Sequence, residues 1–233
     1  MIRLDERLRC AFDMLNGARR VADIGCDHGK LTAALLLDGD CERVIAGDIS
    51  PDCLAKTAAI IEKYGLQDRA EVRLGSGLSI LSPGECDAAA LLGMGGELMV
   101  ELLGSSSEVA KRLDKLVLQP MSGIEELRQW LYKHSYHILE DRLALVQNRW
   151  YQLISVQQAE GSDLWPAGFP HDCWLAGYRA FANRDKLLKP YCEEQLMKRR
   201  SQLRQAAGTA GERKLVREAE YLEQIIKETE RWN

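Results

Sequence analysis

Seven cysteines occur in this chain, and none of them forms a Cys-x-x-Cys pair. They stand at Cys10, Cys26, Cys41, Cys53, Cys86, Cys173 and Cys192, odd in number and scattered mostly through apolar segments. That spacing suggests neither a disulfide framework nor a zinc site. It fits small buried side chains in a reducing cytoplasm. The four histidines form no ligand pattern either, so no metal is expected. No apolar run approaches the roughly 18 residues of a membrane span, so no membrane partner is expected. The opening Met1-Ile-Arg-Leu-Asp-Glu-Arg-Leu mixes both charge signs and does not read as a secretory signal. It reads instead as the start of an amphipathic helix, with Leu4, Leu8, Phe12 and Leu15 on one face. Internal repeats are absent. A net charge of −4 weighs against indiscriminate nucleic-acid binding. The charge is uneven, however, with residues 165–233 at +3 and residues 1–164 at −7.

Apolar runs alternate with helical patterns from residue 19 to about 157. Strands are expected at 20–24, 43–47, 70–74, 88–92 and 116–118. Helices are expected between them, at 30–37, 51–64, 97–103 and 125–134. Such alternation implies parallel βαβ units and an α/β fold. Two further strands, 136–146 and 150–157, are separated only by Gln147-Asn-Arg149 and read as an antiparallel hairpin. Gly161-Ser-Asp-Leu-Trp-Pro-Ala-Gly168 then reads as a joint. Beyond it lie a helix from Asp185 to about Gln205, a break at Ala206-Ala-Gly-Thr-Ala-Gly211, and a helix from Glu212 to about Trp232. The last carries Leu215, Ala219, Leu222, Ile226 and Thr229 at about heptad spacing. The pair reads as an antiparallel, coiled-coil-like helical hairpin. The division expected is 1–160 for the α/β domain and 161–233 for the hairpin, which serves as a binding arm, a dimerisation element or a solubilising tail.

The segment Val21-Ala-Asp-Ile-Gly-Cys-Asp-His-Gly29 reads as a buried strand, a glycine turn and a helix start. The following strand ends in the acidic Ala46-Gly-Asp48. In a doubly wound sheet this places an adenosine-bearing cofactor over the strand ends, with Asp48 on the ribose hydroxyls. A dinucleotide site would want glycine at 25, 27 and 30. The chain has Gly25, but Asp27 and Lys30, and Asp27 would set a like charge beside a pyrophosphate. S-adenosylmethionine (SAM) has no phosphate and carries an ammonium and a sulfonium. Carboxylates at Asp23 and Asp27 suit it, so a methyltransferase fits better than a nicotinamide enzyme. The bland reading of the turn is a strand-turn-helix with Asp27 as helix cap.

The remaining strand ends supply further candidates. At Gly75-Ser-Gly77, Ser76 could meet an adenine amino group through its hydroxyl, or the turn is structural. Gly93-Met-Gly-Gly96 either leaves room for a ligand to approach the backbone, with Met94 packed on a ring, or is a tight turn. In Leu116-Val-Leu-Gln-Pro-Met121, the Gln119 amide could pair with a base edge or orient a ligand, and Pro120 lies beside the same site or only stops the strand. His28 is a proton acceptor or a surface polar residue. The chain has no Asp/Asn-Pro-Pro-Tyr/Phe, which exocyclic-amine methylation often uses, and no Pro-Cys for attack on a pyrimidine carbon. The acceptor left is a nucleophile with a lone pair, such as a ring nitrogen or a hydroxyl.

DIGCDHG at 23–29, GDIS at 47–50, GSGL at 75–78, GMGG at 93–96 and LVLQP at 116–120 stand in one order. Leu127-Arg-Gln-Trp-Leu131, Glu140 and Trp150-Tyr151 follow. Together they resemble the bacterial tRNA adenine-22 N1-methyltransferases, the TrmK family, over the whole chain. One departure is Gly29-Lys30, where a bulkier or aromatic residue is expected. The resemblance implies a class I SAM-methyltransferase sheet, mostly parallel with an antiparallel terminal hairpin, plus the C-terminal helical hairpin. It implies SAM as cofactor, held by Asp23, Gly25, Cys26, Asp27, Gly29, Asp48, Ile49, Ser76, Gly77, Gly93, Met94 and Gly95. It implies a tRNA partner and a cytoplasmic monomer or weak dimer. Adenine N1 would attack the methyl in line, and the base would first be extruded from its pair. Asp27 and His28 are then the catalytic candidates. Gln119, Pro120, Lys198, Arg199, Arg200 and Arg204 are the substrate contacts, the last four on an arm that braces the tRNA. The competing readings are a small-molecule methyltransferase and a SAM- or nucleotide-binding module without turnover.

Overall fold

The computed structural model describes residues 2–159, 169–170, 172–206, 208 and 211–232. Helix α1 (Glu6–Met14) opens the chain, with Asp5 as its N-cap accepting from the Leu8 N–H at 2.8 Å. Strands β1 (Arg20–Ile24), β2 (Arg43–Asp48) and β3 (Ala70–Leu74) alternate with α2 (Lys30–Asp38) and α3 (Pro51–Lys63). Pro51 fits the first turn of α3, and the Ser50 hydroxyl caps it. Then come β4 (Ala88–Gly95), α4 (Gly96–Ser105), α5 (Ser107–Ala110), β5 (Lys115–Ser122) and α6 (Ile124–Lys133). The hairpin of β6 (Tyr136–Val146) and β7 (Arg149–Gln158) completes the sheet.

The strand order is β3-β2-β1-β4-β5-β7-β6. Strands β1 to β5 pair in parallel, and β7 is antiparallel to both β5 and β6. The expected architecture is therefore present. Because β1 has β2 on one side and β4 on the other, the order of strands reverses at β1, and a crevice opens beyond its carboxyl end. Both faces of the sheet are covered. Ala22, Ile24, Leu91 and Leu118 feed one buried cluster, and Val21, Val44, Ala90 and Val117 feed the other. This is the period of two in a strand buried on both sides.

Three local readings change. Strand β4 runs through Gly93-Met94 to Gly95 with irregular pairing against β5, three residues beyond its expected end at Leu92. Strand β5 passes through Pro120, which pairs with Met94, instead of stopping there. Proline is tolerated at that irregularity because no ladder N–H is needed. The β6–β7 loop has two residues, Gln147 and Asn148, both with positive φ, as a tight hairpin turn requires. The one-turn α5, the 3₁₀ turn Gly77–Ile80 and α7 (Tyr178–Ala182) had no periodic signal in the sequence.

Helices α8 (Leu188–Ala206) and α9 (Glu212–Thr229) form the C-terminal hairpin. The expected joint at 161–168 lies outside the described residues, as do 207, 209 and 210 of the expected helix break. The arm shares its core with the sheet. Leu188, Cys192, Leu196, Leu222 and Ile225 belong to the same buried cluster as Leu118 and Ile154. A polar knot ties the parts together. Arg128 of α6 and Asp141 of β6, each 2% exposed, form an ion pair at 2.7 Å. Arg128 Nη2 also donates to Gln152 Oε1 at 3.0 Å, and Gln152 Nε2 donates to the Tyr191 hydroxyl at 2.8 Å and to Leu175 O at 3.1 Å. Asp141 in turn accepts from the Arg179 N–H at 3.0 Å. Asp141→Ala leaves a buried unpaired guanidinium and is expected to cost about 3–5 kcal/mol of stability. Urea unfolding reads this as a lower midpoint. Replacing both partners, Arg128→Met with Asp141→Leu, should recover most of the loss. Equal midpoints for wild type and Asp141→Ala would rule out the knot as a fastening.

Candidate active site

A cleft of about 480 Å³ opens at the carboxyl ends of β1 and β4. Its floor is the turn after β1, where Gly25, Asp27 and Gly29 all have positive φ. Gly25 and Cys26 donate their N–H groups across to Gly47 O at 2.8 and 3.1 Å, fixing the turn to the end of β2. A Cβ on Gly29 would lie within 3.1 Å of Thr57 Cα, so Gly29 lets α2 and α3 approach. Asp27 tolerates the left-handed region better than most side chains.

Three carboxylates stand close together at these strand ends. Asp23 is 3% exposed and accepts from the Thr32 hydroxyl at 2.7 Å. Burial pushes its carboxyl up to about 6, against the hydrogen bond from Thr32, and Asp48 and Asp27 push the same way. Asp48 Oδ1 accepts from the Ser50 N–H at 2.9 Å, and its Oδ2 accepts from the Asp27 N–H at 3.3 Å. Asp27 is 65% exposed and stands 2.7 Å from His28 Nδ1. Among the described residues, none of these three carboxylates forms an ion pair with Lys or Arg. Cys26 is buried beside the Thr57 hydroxyl, and burial pushes its thiol up to about 12. It therefore supplies no thiolate at neutral pH.

The expected cofactor residues sort by place. Asp23, Gly25, Cys26, Asp27, Gly93 and Met94 line the cleft, as does His28. Asp48, Ile49, Ser76 and Gly77 lie along the neighbouring ends of β2 and β3. There Ile49 is 73% and Leu74 63% exposed, an apolar shelf next to the Asp48 carboxylate. Ser76 is exposed, whereas Gly77 is buried, where a Cβ would strike the Leu102 side chain. Gly29 acts through backbone shape, and Gly95 stands at the N-terminus of α4 in extended backbone. Gly96, next to Gly95, abuts the β5–α6 corner.

The expected substrate residues are more divided. Gln119 is fully buried. Its Oε1 accepts from Arg7 Nη1 at 3.0 Å, and its Nε2 donates to Pro120 O at 2.9 Å. This corrects the expectation that Gln119 meets a base edge, because its amide is already used. Arg199 is also corrected. It is 17% exposed and pairs with Glu218 of α9, with Glu125 at 4.0 Å. Pro120 and Lys198 line a second cleft of about 310 Å³. Arg200 is exposed and paired with Glu223, and Arg204 is exposed. Sequence reasoning missed Asp5, Arg7, Lys30 and Met121, all at the main cleft. The amphipathic helix holding Arg7 was legible, but nothing local shows that it reaches the sheet end. No cluster of metal ligands occurs among the described residues, and none of their helices is long and apolar enough to cross a membrane.

Residues 4–154 match the family described as "Methyltransferase domain". The chain belongs to this methyltransferase family. The tRNA (adenine(22)-N(1))-methyltransferase of Bacillus subtilis (strain 168) is 28% identical over 159 residues, covering 68% of this chain and 67% of that protein. The crystal structure of the B. subtilis M1A22 tRNA methyltransferase TrmK matches with a TM-score of 0.82 at 26% identity, over 97% of this chain and 100% of that one. The structure of the Streptococcus pneumoniae putative tRNA (m1A22) methyltransferase in complex with S-adenosyl-L-methionine has the same fold. Its TM-score is 0.82 at 19% identity, over 96% of this chain and 100% of that one. The resemblance to the TrmK family read from the motifs is borne out. In this methyltransferase α4 packs closely on the β5–α6 corner. A Cβ on Gly96 would stand 2.2 Å from Gly123 O and 3.0 Å from Ser122 O, backbone atoms that cannot swing away. Gly96→Ala is therefore expected to cost about 1–3 kcal/mol. A lower thermal midpoint in calorimetry checks this, and an unchanged one would show that the corner is free to shift.

Proposed function

We propose that this chain transfers a methyl group from SAM to N1 of adenine 22 in tRNA, after the base is extruded into the cleft. The observation that carries this reading is the group of three carboxylates, without Lys or Arg partners among the described residues, at the switch point of a methyltransferase sheet. That group suits a ligand bearing a sulfonium and an ammonium and repels a pyrophosphate. Asp23 and Asp27 would face the cationic part of SAM, Asp48 the ribose hydroxyls, and Ile49 with Leu74 the adenine face. The exposure of those two aliphatic side chains beside Asp48 supports this fit. Bound there, SAM supplies an electrophilic methyl group.

The chain's own residues do the rest. The wall of Gly93 and Met94 leaves the backbone open to a planar base. Positive charge grows on adenine as N1 becomes bonded. Asp27, exposed at the cleft and held by His28, is the carboxylate placed to stabilise it. The Asp27–His28 pair also offers an acceptor for the N6 proton that leaves afterwards. Helices α8 and α9 form the arm that braces the tRNA, with Lys198, Arg200 and Arg204 on its surface.

The test is methyl transfer to two unmodified tRNA transcripts, one with adenine and one with guanine at position 22, mapped by reverse-transcription stops. A stop at 22 in the adenine transcript alone is expected. With SAM bound and no product on either, the acceptor would be different. Asp27→Ala is expected to abolish or greatly slow transfer, and an unchanged rate would remove Asp27 from the chemistry. The pH dependence has a definite sign. Asp23 attracts a cation only when ionised, and in the free protein it ionises as pH rises through about 6. SAM affinity is thus expected to fall about three- to fivefold from pH 7.5 to 5.5. Calorimetry should show this slope flattened in Asp23→Asn.

A further inference from the structure

Two arginines distant in sequence gather on one aromatic ring. The Arg7 guanidinium of α1 lies 5.6 Å from the centre of the Tyr151 ring, and that of Arg149, at the start of β7, lies 5.5 Å from it. Neither has a carboxylate partner among the described residues. Elsewhere arginines are commonly paired, as Arg20 is with Asp87 and Arg73 with Glu85. Arg7 is fixed further by its hydrogen bond to the buried Gln119, which spends only one of its N–H donors. Arg7 lines the main cleft and Arg149 the second, and Met121 lines both. The two guanidiniums therefore stand where the clefts adjoin.

A planar fork of free donors matches a phosphate oxygen pair, and stacking on a ring fixes its plane. A nucleotide turned out of a helix carries a phosphate on each side, and these must rest at the cleft mouth as its base enters. We propose that Arg7 and Arg149 form a clamp for the RNA phosphates flanking the base in the main cleft, with Gln119 as the positioning residue for Arg7. This rests on the reading of RNA as substrate. It also gives Gln119 a role consistent with its burial, since it aims an arginine and leaves the base edge to other groups.

Arg149 is exposed, so Arg149→Gln should fold normally. With wild-type tRNA transcript and saturating SAM, Arg7→Gln and Arg149→Gln are each expected to lower kcat/KM by about ten- to hundredfold. The loss should appear in KM. The log–log salt slope of tRNA binding should shrink by about 0.7–0.9 per lost contact. Arg7→Lys and Arg149→Lys should restore part of it. Gln119→Leu should copy Arg7→Gln, and the double variant should add little. SAM affinity should not change in any of them. Unchanged salt slopes in both arginine variants would overturn the clamp. So would weakened SAM binding in Arg7→Gln, which would assign that arginine to the cofactor's carboxylate. A wild-type chain that binds tRNA with the full slope but methylates neither transcript would sink the adenine-22 reading. Loss of slope in Arg149→Gln would still support the clamp.

Discussion

Negative charge held at two adjacent strand ends is the constraint on which this molecule turns. Asp23, Asp27 and Asp48 share one small region, and the Asp27 N–H is given to the Asp48 carboxylate. Packing Asp23 under the turn costs solvation, which is why its carboxyl rises toward neutrality. The positive-φ turn of Gly25, Asp27 and Gly29 is what allows the groups to converge. A cationic ligand relieves the mutual repulsion and a phosphate would worsen it. The ligand class thus follows from the same geometry that stores the repulsion.

The rest of the cleft is built from distant parts of the chain. Helix α1 sends Arg7 over the end of β5, 112 residues away, where Gln119 receives it. The close meeting of Gly96 with the backbone at Gly123 fixes the start of α4 against the β5–α6 corner. Cations at this rim and carboxylates at the floor give the cleft two electrostatic zones. The floor suits a sulfonium, and the rim suits an anionic backbone. An acidic chain can therefore take up RNA without an overall positive charge, because the contacts are local.

The arm is fastened from within. The Arg128–Asp141 pair, extended through Gln152 to Tyr191 and Leu175, joins α6, the β hairpin and α8 in a region that excludes water. Such a pair adds little net stability over apolar side chains of similar volume, but it fixes one orientation. Arg199 works the same way at the helix seam with Glu218. Two arginines, one expected as an RNA contact and one given no role by the sequence, thus hold the parts in register.

Much of this was legible locally. Apolar alternation marked strands β1 to β7 within a few residues, and the caps of α1 and α3 lie where short polar side chains precede helical patterns. Asp23, Asp27 and Asp48 could be named because strand ends and glycine turns are local signals. The roles of Gln119, Arg199 and Arg128 could not, because burial and partners depend on residues 13 to 112 positions away. Arg7 and Arg149 illustrate the same limit, since their meeting on Tyr151 follows from how α1 lies across the hairpin. The sequence by itself determined the elements, the order of motifs and the acidic turn, since each rests on backbone preferences within a few residues. Only the tertiary structure decided which charges are spent on the fold and which remain free for a ligand, because pairing is a matter of distance in space.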